Sequence, residues 1–225
     1  MNTEHPIMNR KMLPSVLTTG YKLFTNDEVD YLKDNIYARG DRYEDRNING
    51  DLDSYYFTWR FYNKDFKDIR EIIEPRIRTV IDQDLIFDYS HILHSLQPYQ
   101  LHTDYSQNDM IINDRIKPAY TIIIPLGNFD SNTFVFNQHD EDKNLRNLDR
   151  STVLKDCVDS KTREDHLSHV DQKQLDYISI KEKFTWTKGS LHACDRRYIH
   201  CSDNYYENKG QLYKNAIVFW TSIRI

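Results

Sequence analysis

Ala119-Tyr120-Thr121-Ile122-Ile123-Ile124-Pro125, followed after a polar turn by Thr133-Phe134-Val135-Phe136-Asn137, is the stretch that decides the fold. The first run is short, apolar and β-branched and closes at proline, which reads as a buried strand. Gly127 to Asn132 supplies turn chemistry before the second run begins. Working outward, the same rhythm of short apolar runs and turns holds from Leu85 to the end. His91–Leu96, Phe184–Thr187, Ser190–Cys194, Tyr198–Ser202 and Ala216–Ser222 all follow it.

Upstream the pattern changes period. Thr25 and Glu28 form a capping box, Phe24 can staple against Val29, and Val29, Leu32 and Ile36 continue at helical spacing to a stop at Gly40. Residues 41–54 are polar and read as a loop, and Ser54–Tyr62 reads as an aromatic strand. A second helix is expected over Asp65–Ile81, kinked or split by Pro75. About eight strands after two helices suit a mainly β fold with some α: a double-stranded β-helix (jelly-roll) core supported by N-terminal helices. The chain is read as one jelly-roll domain over 1–225, with 1–84 as helical support. Residues 138–183 are rich in Asp, Lys, Arg, His and Asn and are expected to form an insert or lid.

Composition narrows the function class. The 225 residues carry a net charge of −5, which gives no general reason to expect nucleic-acid binding. Sixteen tyrosines suit a strand-rich fold. The three cysteines, Cys157, Cys194 and Cys201, lack CxxC spacing and are expected to be reduced thiols in a cytoplasmic protein. No stretch approaches the ~18 apolar residues of a membrane span.

His102-Thr103-Asp104 holds the chemistry. In an extended segment residues two apart point to one face, so imidazole and carboxylate approach one ion from the same side. Neutral imidazole with carboxylate suits Fe(II), whereas a thiolate set would suit zinc. A further histidine would complete the face that non-haem iron oxygenases use, leaving about three positions for cosubstrate and dioxygen. Two histidines are candidates: His192 within Ser190–Cys194, and His200 beyond the turn Cys194-Asp195-Arg196-Arg197.

The text from Trp186-Thr187-Lys188-Gly189-Ser190-Leu191 through Asp195-Arg196-Arg197-Tyr198-Ile199-His200 to Asn204 resembles the Fe(II)/2-oxoglutarate-dependent dioxygenase superfamily. Its phage- and marine-bacterial-type members are the nearest in pattern, and prolyl hydroxylases are more distant. There a "KG-small-apolar" strand runs into an Asp-Arg turn, the distal histidine follows about five residues after the Asp, and a basic residue opens the final strand. The resemblance covers 85–225 and implies His102, Asp104 and His200 as metal ligands and catalytic residues. His192 has no ligand counterpart in it.

The same resemblance gives Lys214, opening Lys214-Asn215-Ala216-Ile217-Val218-Phe219-Trp220, the far carboxylate of 2-oxoglutarate, with Lys209 as competitor. The 14 residues from His200 to Lys214 exceed the spacing in compact members. A hydroxyl partner for that carboxylate is expected from Tyr99, Tyr120 or Thr121, with Tyr120 chosen. The implied cofactors are Fe(II), 2-oxoglutarate as cosubstrate and O2. The implied reaction is hydroxylation or another oxidation of a small-molecule or peptide substrate, with release of succinate and CO2. Asp104 stands where related halogenases carry a small residue, so oxygenation outranks halogenation. Two other readings stand beside this one: a jelly-roll binding module without catalysis, and a cupin-like metalloenzyme of another reaction class.

Overall fold

The computed structural model describes residues 16–46, 55–61, 64–105, 116–140, 144–205 and 213–224. Its strands are β1 (Val16–Lys22), β2 (Asp41–Arg46), β3 (Tyr55–Arg60), β4 (Leu85–Ser95), β5 (Ile116–Pro125), β6 (Asn132–His139), β7 (Ile180–Thr185), β8 (Ser190–Asp195), β9 (Tyr198–Ser202) and β10 (Lys214–Arg224). The helices are α1 (Asn26–Arg39), α2 (Lys67–Val80) and α3 (Ser160–His166). All strand pairs are antiparallel. They build a larger sheet in the order β1-β8-β5-β10-β4-β3-β2 and a smaller sheet in the order β7-β6-β9. The jelly-roll expectation holds.

Alternation along the strands sorts side chains to two faces. On the outer face of the larger sheet, Ile122, Ile124, Ile217 and Phe219 pack against Val29, Leu32 and Ile36 of α1 and Ile69, Ile73 and Ile77 of α2. Each such isoleucine contributes ~1.5–3 kcal/mol by leaving water. On the inner face Ile123, Cys194, Ala216 and Val218 meet Val135, Phe184 and Tyr198 of the smaller sheet. That inter-sheet space holds the site.

The expected start of α1 is present. Thr25 Oγ1 accepts from Glu28 N and Glu28 Oε2 accepts from Thr25 N, completing the capping box. Arg76 of α2 donates to Glu28 Oε2 at 2.7 Å and so ties the two helices together. Gly189, at the turn into β8, has φ +76°, and its carbonyl accepts from Leu23 N and Phe24 N. A Cβ there would lie 2.5 Å from Phe24 O, so only glycine lets the α1 entry dock on this turn.

Several expectations are corrected. The polar stretch from Asp41 is not a loop but begins with β2, which pairs with β3. Arg42 covers the rings of Phe57 and Trp59, so packing against a neighbour overrides composition. Pro75 does not split α2, which runs unbroken over Lys67–Val80 with the proline on its exposed side. β1, which the sequence reading passed over, pairs with β8. Residues 47–54 and Tyr62 lie outside the described residues.

The described part of the insert contains α3 and contributes to a core of its own. Leu145, Leu148, Val158, Leu167, Val170 and Leu175 form a core with Phe134, Phe136, Ile199 and Cys201, which point outward from β6 and β9. The described part of the insert thus braces the back of the smaller sheet.

Candidate metal centre

The segment leading to Asp104 pairs with β9. His102 N donates to His200 O at 3.1 Å and His200 N donates to His102 O at 2.9 Å. Two directly opposed residues exchanging both bonds form a hydrogen-bonded antiparallel pair, which places their side chains side by side. The imidazole centroids are 4.3 Å apart. Asp104, two residues on, is fixed by its own N–H to Arg196 O at 3.0 Å and by Arg196 Nε donating to its carbonyl at 3.1 Å.

One ligand atom from each of His102, Asp104 and His200 lies within 4.8 Å of the other two. His200 Nε2 is 3.3 Å from Asp104 Oδ2, and His102 Nε2 is 3.9 Å from Asp104 Oδ1. Both Nδ1 atoms are committed elsewhere. That of His102 donates to Gln100 O at 2.8 Å and that of His200 to Tyr198 O at 3.0 Å. A carbonyl only accepts, so each ring carries its proton on Nδ1 and turns the Nε2 lone pair toward Asp104. Thr121 Oγ1 donates to Asp104 Oδ2 at 2.6 Å and orients the carboxylate.

The electrostatics suit a cation. Burial opposes a charge on Asp104, yet His200, His102 and the Thr121 bond outweigh it and hold the carboxyl well below the usual range. Burial pushes His102 down to about 4, helped by the neighbouring His200. Burial also acts to lower His200, but Asp104 more than compensates and raises it. A divalent ion bound here would compete with protonation of His200 beside Asp104. One carboxylate and two neutral imidazoles are a donor set that fits Fe(II).

His192 does not join this set. Ser190 spends its proton on Thr187 O, so His192 Nε2 donates to Ser190 Oγ at 2.9 Å, and His192 Nδ1 accepts from Thr18 Oγ1. The ring stacks on Phe184 at 4.2 Å, and burial lowers its pKa to about 4. Both nitrogens are consumed, and the residue packs against its neighbours.

Lys214 lies on the inner face with Ala216 and Val218 and is only 2% exposed. Its Nζ donates to Ser131 Oγ at 3.2 Å and sits 4.1 Å from the Trp186 ring centroid and 5.0 Å from that of Tyr205. Ser131 in turn donates to Asp203 at 2.8 Å. Lys209 lies outside the described residues. Tyr120 is a correction: it belongs to the outer core with Ile122 and Ile124, so β5 turns its ring away from the metal centre. Alternation in AYTIIIP sends Thr121, not Tyr120, to the inner face. Arg196 is 3% exposed and packs over Trp220.

No protein-family model matches the sequence, and no curated protein matches it. Solved structures match the fold. The non-haem alpha-ketoglutarate-dependent epimerase SnoN from nogalamycin biosynthesis aligns over 93% of this chain and 77% of its own, at 12% identity and TM-score 0.56. An oxidoreductase of the 2OG-Fe(II) oxygenase family from Burkholderia pseudomallei covers 92% of this chain and 84% of its own, at 11% identity and TM-score 0.51. HygX from Streptomyces hygroscopicus, solved with nickel and 2-oxoglutarate bound, covers 92% and 82%, at 13% identity and TM-score 0.51. The chain has the fold of the 2OG-Fe(II) oxygenase structures.

Proposed function

We propose that this protein is an Fe(II)- and 2-oxoglutarate-dependent dioxygenase that oxidises a small-molecule or peptide substrate, by hydroxylation or a related oxidation. The observation that carries the reading is the convergence of His102 Nε2, His200 Nε2 and Asp104, with both Nδ1 atoms tied to backbone carbonyls. His102, Asp104 and His200 would hold Fe(II), and Lys214 would hold the far carboxylate of 2-oxoglutarate. When bound, iron and cosubstrate supply the oxidising power, with O2 consumed and succinate and CO2 released.

The chain's own residues supply position and dryness. Thr121 and the backbone of Arg196 hold Asp104 so that it offers its charge in a fixed direction. Lys214 places a cation in a site lined by Trp186 and Tyr205, where a carboxylate is bound more strongly than in water. Val218 and Ile123 line the wall near this site and help keep water out. The buried free thiols Cys194 and Cys201 fit a reducing, cytoplasmic compartment.

Anaerobic titration with Fe(II) and then 2-oxoglutarate tests the reading. A visible charge-transfer band and O2-dependent succinate release are expected, and His102→Ala and Asp104→Ala should abolish both. Absence of the band would favour a binding module. A band-free protein that binds another divalent ion tightly would favour the cupin-like alternative.

A further inference from the structure

Beyond the metal centre, the inner face of the larger sheet continues across β10, β4 and β3. Register places Trp220 beside Thr121 and Tyr89, and His91 beside Val218 and Arg60. From the strand of Thr121 to that of Arg60 is three strand spacings, roughly 14 Å. The Arg60 guanidinium lies 3.8 Å from the Tyr43 ring centroid and 5.5 Å from that of Tyr89. Tyr89 contacts His91 at 5.0 Å and Trp220 at 5.4 Å, so an aromatic floor joins Arg60 to the metal centre.

Two polar atoms on this floor are buried without a hydrogen-bond partner among the described residues: His91 Nδ1 and Thr58 Oγ1. Their residues are 6% and 4% exposed. Thr58 lies next but one to Arg60 along β3, on the same face. Folded proteins rarely leave such groups unsatisfied, and unsatisfied groups on a face that leads to a reactive centre point to a ligand. Burial pushes His91 down to about 4, with Asp104 opposing the shift and Arg60 adding to it, so the imidazole is neutral at physiological pH.

We propose that Arg60, His91 and Thr58 anchor a carboxylate on the substrate, which is oxidised at a carbon several bonds from that group. This rests on the oxygenase reading of the His102–Asp104–His200 centre. A guanidinium over a tyrosine ring is planar and multidentate, a donor type suited to a carboxylate. The hydroxyl of Thr58 and one imidazole nitrogen can serve the remaining lone pairs. One formal positive charge with a neutral histidine matches a monoanion better than a phosphate dianion. The span from Thr121 to Arg60 separates the anchored group from the reacting carbon.

Binding, read by calorimetry on the metal-free protein, tests the anchor independently of turnover. The probes are linear and aromatic carboxylic acids and short peptides with free C-termini, each beside its carboxamide and a phosphate monoester of similar size. At least one acid is expected to bind, its amide more weakly, and Arg60→Gln to weaken the acid by about 10- to 100-fold, as for loss of a charged hydrogen bond. Arg60→Lys should recover part of the loss. His91→Phe, which keeps the aromatic floor, gives a second test should Arg60→Gln fail to fold, and it too should weaken the acid. Equal binding of acids and amides, tighter binding of phosphate monoesters, no binding of any acid, or an unchanged acid affinity in folded Arg60→Gln would each overturn the proposal. The charge-transfer titration separates the two readings: a missing band with selective acid binding intact would remove the oxygenase reading and support the anchor.

Discussion

Thr121, on the larger sheet, donates a 2.6 Å hydrogen bond to Asp104 Oδ2, which lies beside the smaller sheet. The carboxylate is therefore oriented from across the barrel rather than by its own segment alone. Thr121→Val keeps the shape and deletes the donor. Fe(II) affinity should fall about 10- to 100-fold, the usual effect of losing a partner of a metal ligand, and Thr121→Ser should retain most of it. Anaerobic equilibrium dialysis measures both, and an unchanged affinity in the valine variant would show that the bond does not tune the metal.

Lys214→Ala should raise the 2-oxoglutarate requirement strongly while Fe(II) affinity stays near that of the native protein. Removing one partner of a buried charge pair costs roughly 2–5 kcal/mol, which is about 30-fold or more in apparent affinity. Succinate release at graded 2-oxoglutarate concentrations is the measurement. A requirement that does not move would transfer the role to another cation.

The Glu28–Arg76 pair sets a pH dependence of stability. The Arg76 hydrogen bond, with help from Thr25, holds Glu28 at about 2 against an ordinary 4.5. A depressed carboxyl stabilises the fold above 4.5, and that contribution fades as pH falls from about 4.5 toward about 2. Both side chains are about one-third exposed, so solvent screening limits the effect to ~0–1 kcal/mol. Urea titrations of native protein and Arg76→Ala across that window should converge toward the acid end. Parallel curves would show that the pair contributes nothing.

Leu167 is fully buried in the core that the insert shares with β6 and β9. Leu167→Ala should lower unfolding stability by ~2–5 kcal/mol, the range for a leucine cavity in a packed core. A loss below ~0.5 kcal/mol would mean the insert does not unfold together with the barrel.

Much of this was legible in the sequence, for physical reasons that differ by element. The capping box at Thr25 and Glu28 is a local signal, and α1 begins where it says. The run at Ala119 was equally plain, since seven residues of β5 from Ala119 to Pro125 are all buried. β2 was not legible, because its polar residues form a strand only through pairing with β3 and through Arg42 stacking on Phe57 and Trp59. At the site, His102, Asp104 and His200 converge as the extended spacing and the family pattern implied. Tyr120, chosen as the hydroxyl partner of the cosubstrate, faces the outer core, while its neighbour Thr121 faces inward and bonds Asp104 instead. Arg60 and His91 carried no motif, since only the pairing of β3 with β4 makes them neighbours.

The reciprocal bonds between His102 and His200 carry a consequence for how the chain matures. A slip of one residue in that pairing would turn one imidazole to the opposite side of the sheet and dismantle the ligand set. Under the proposed function only a correctly zipped chain would capture the ion, so metal uptake would act as proof-reading of the fold as well as preparation for chemistry.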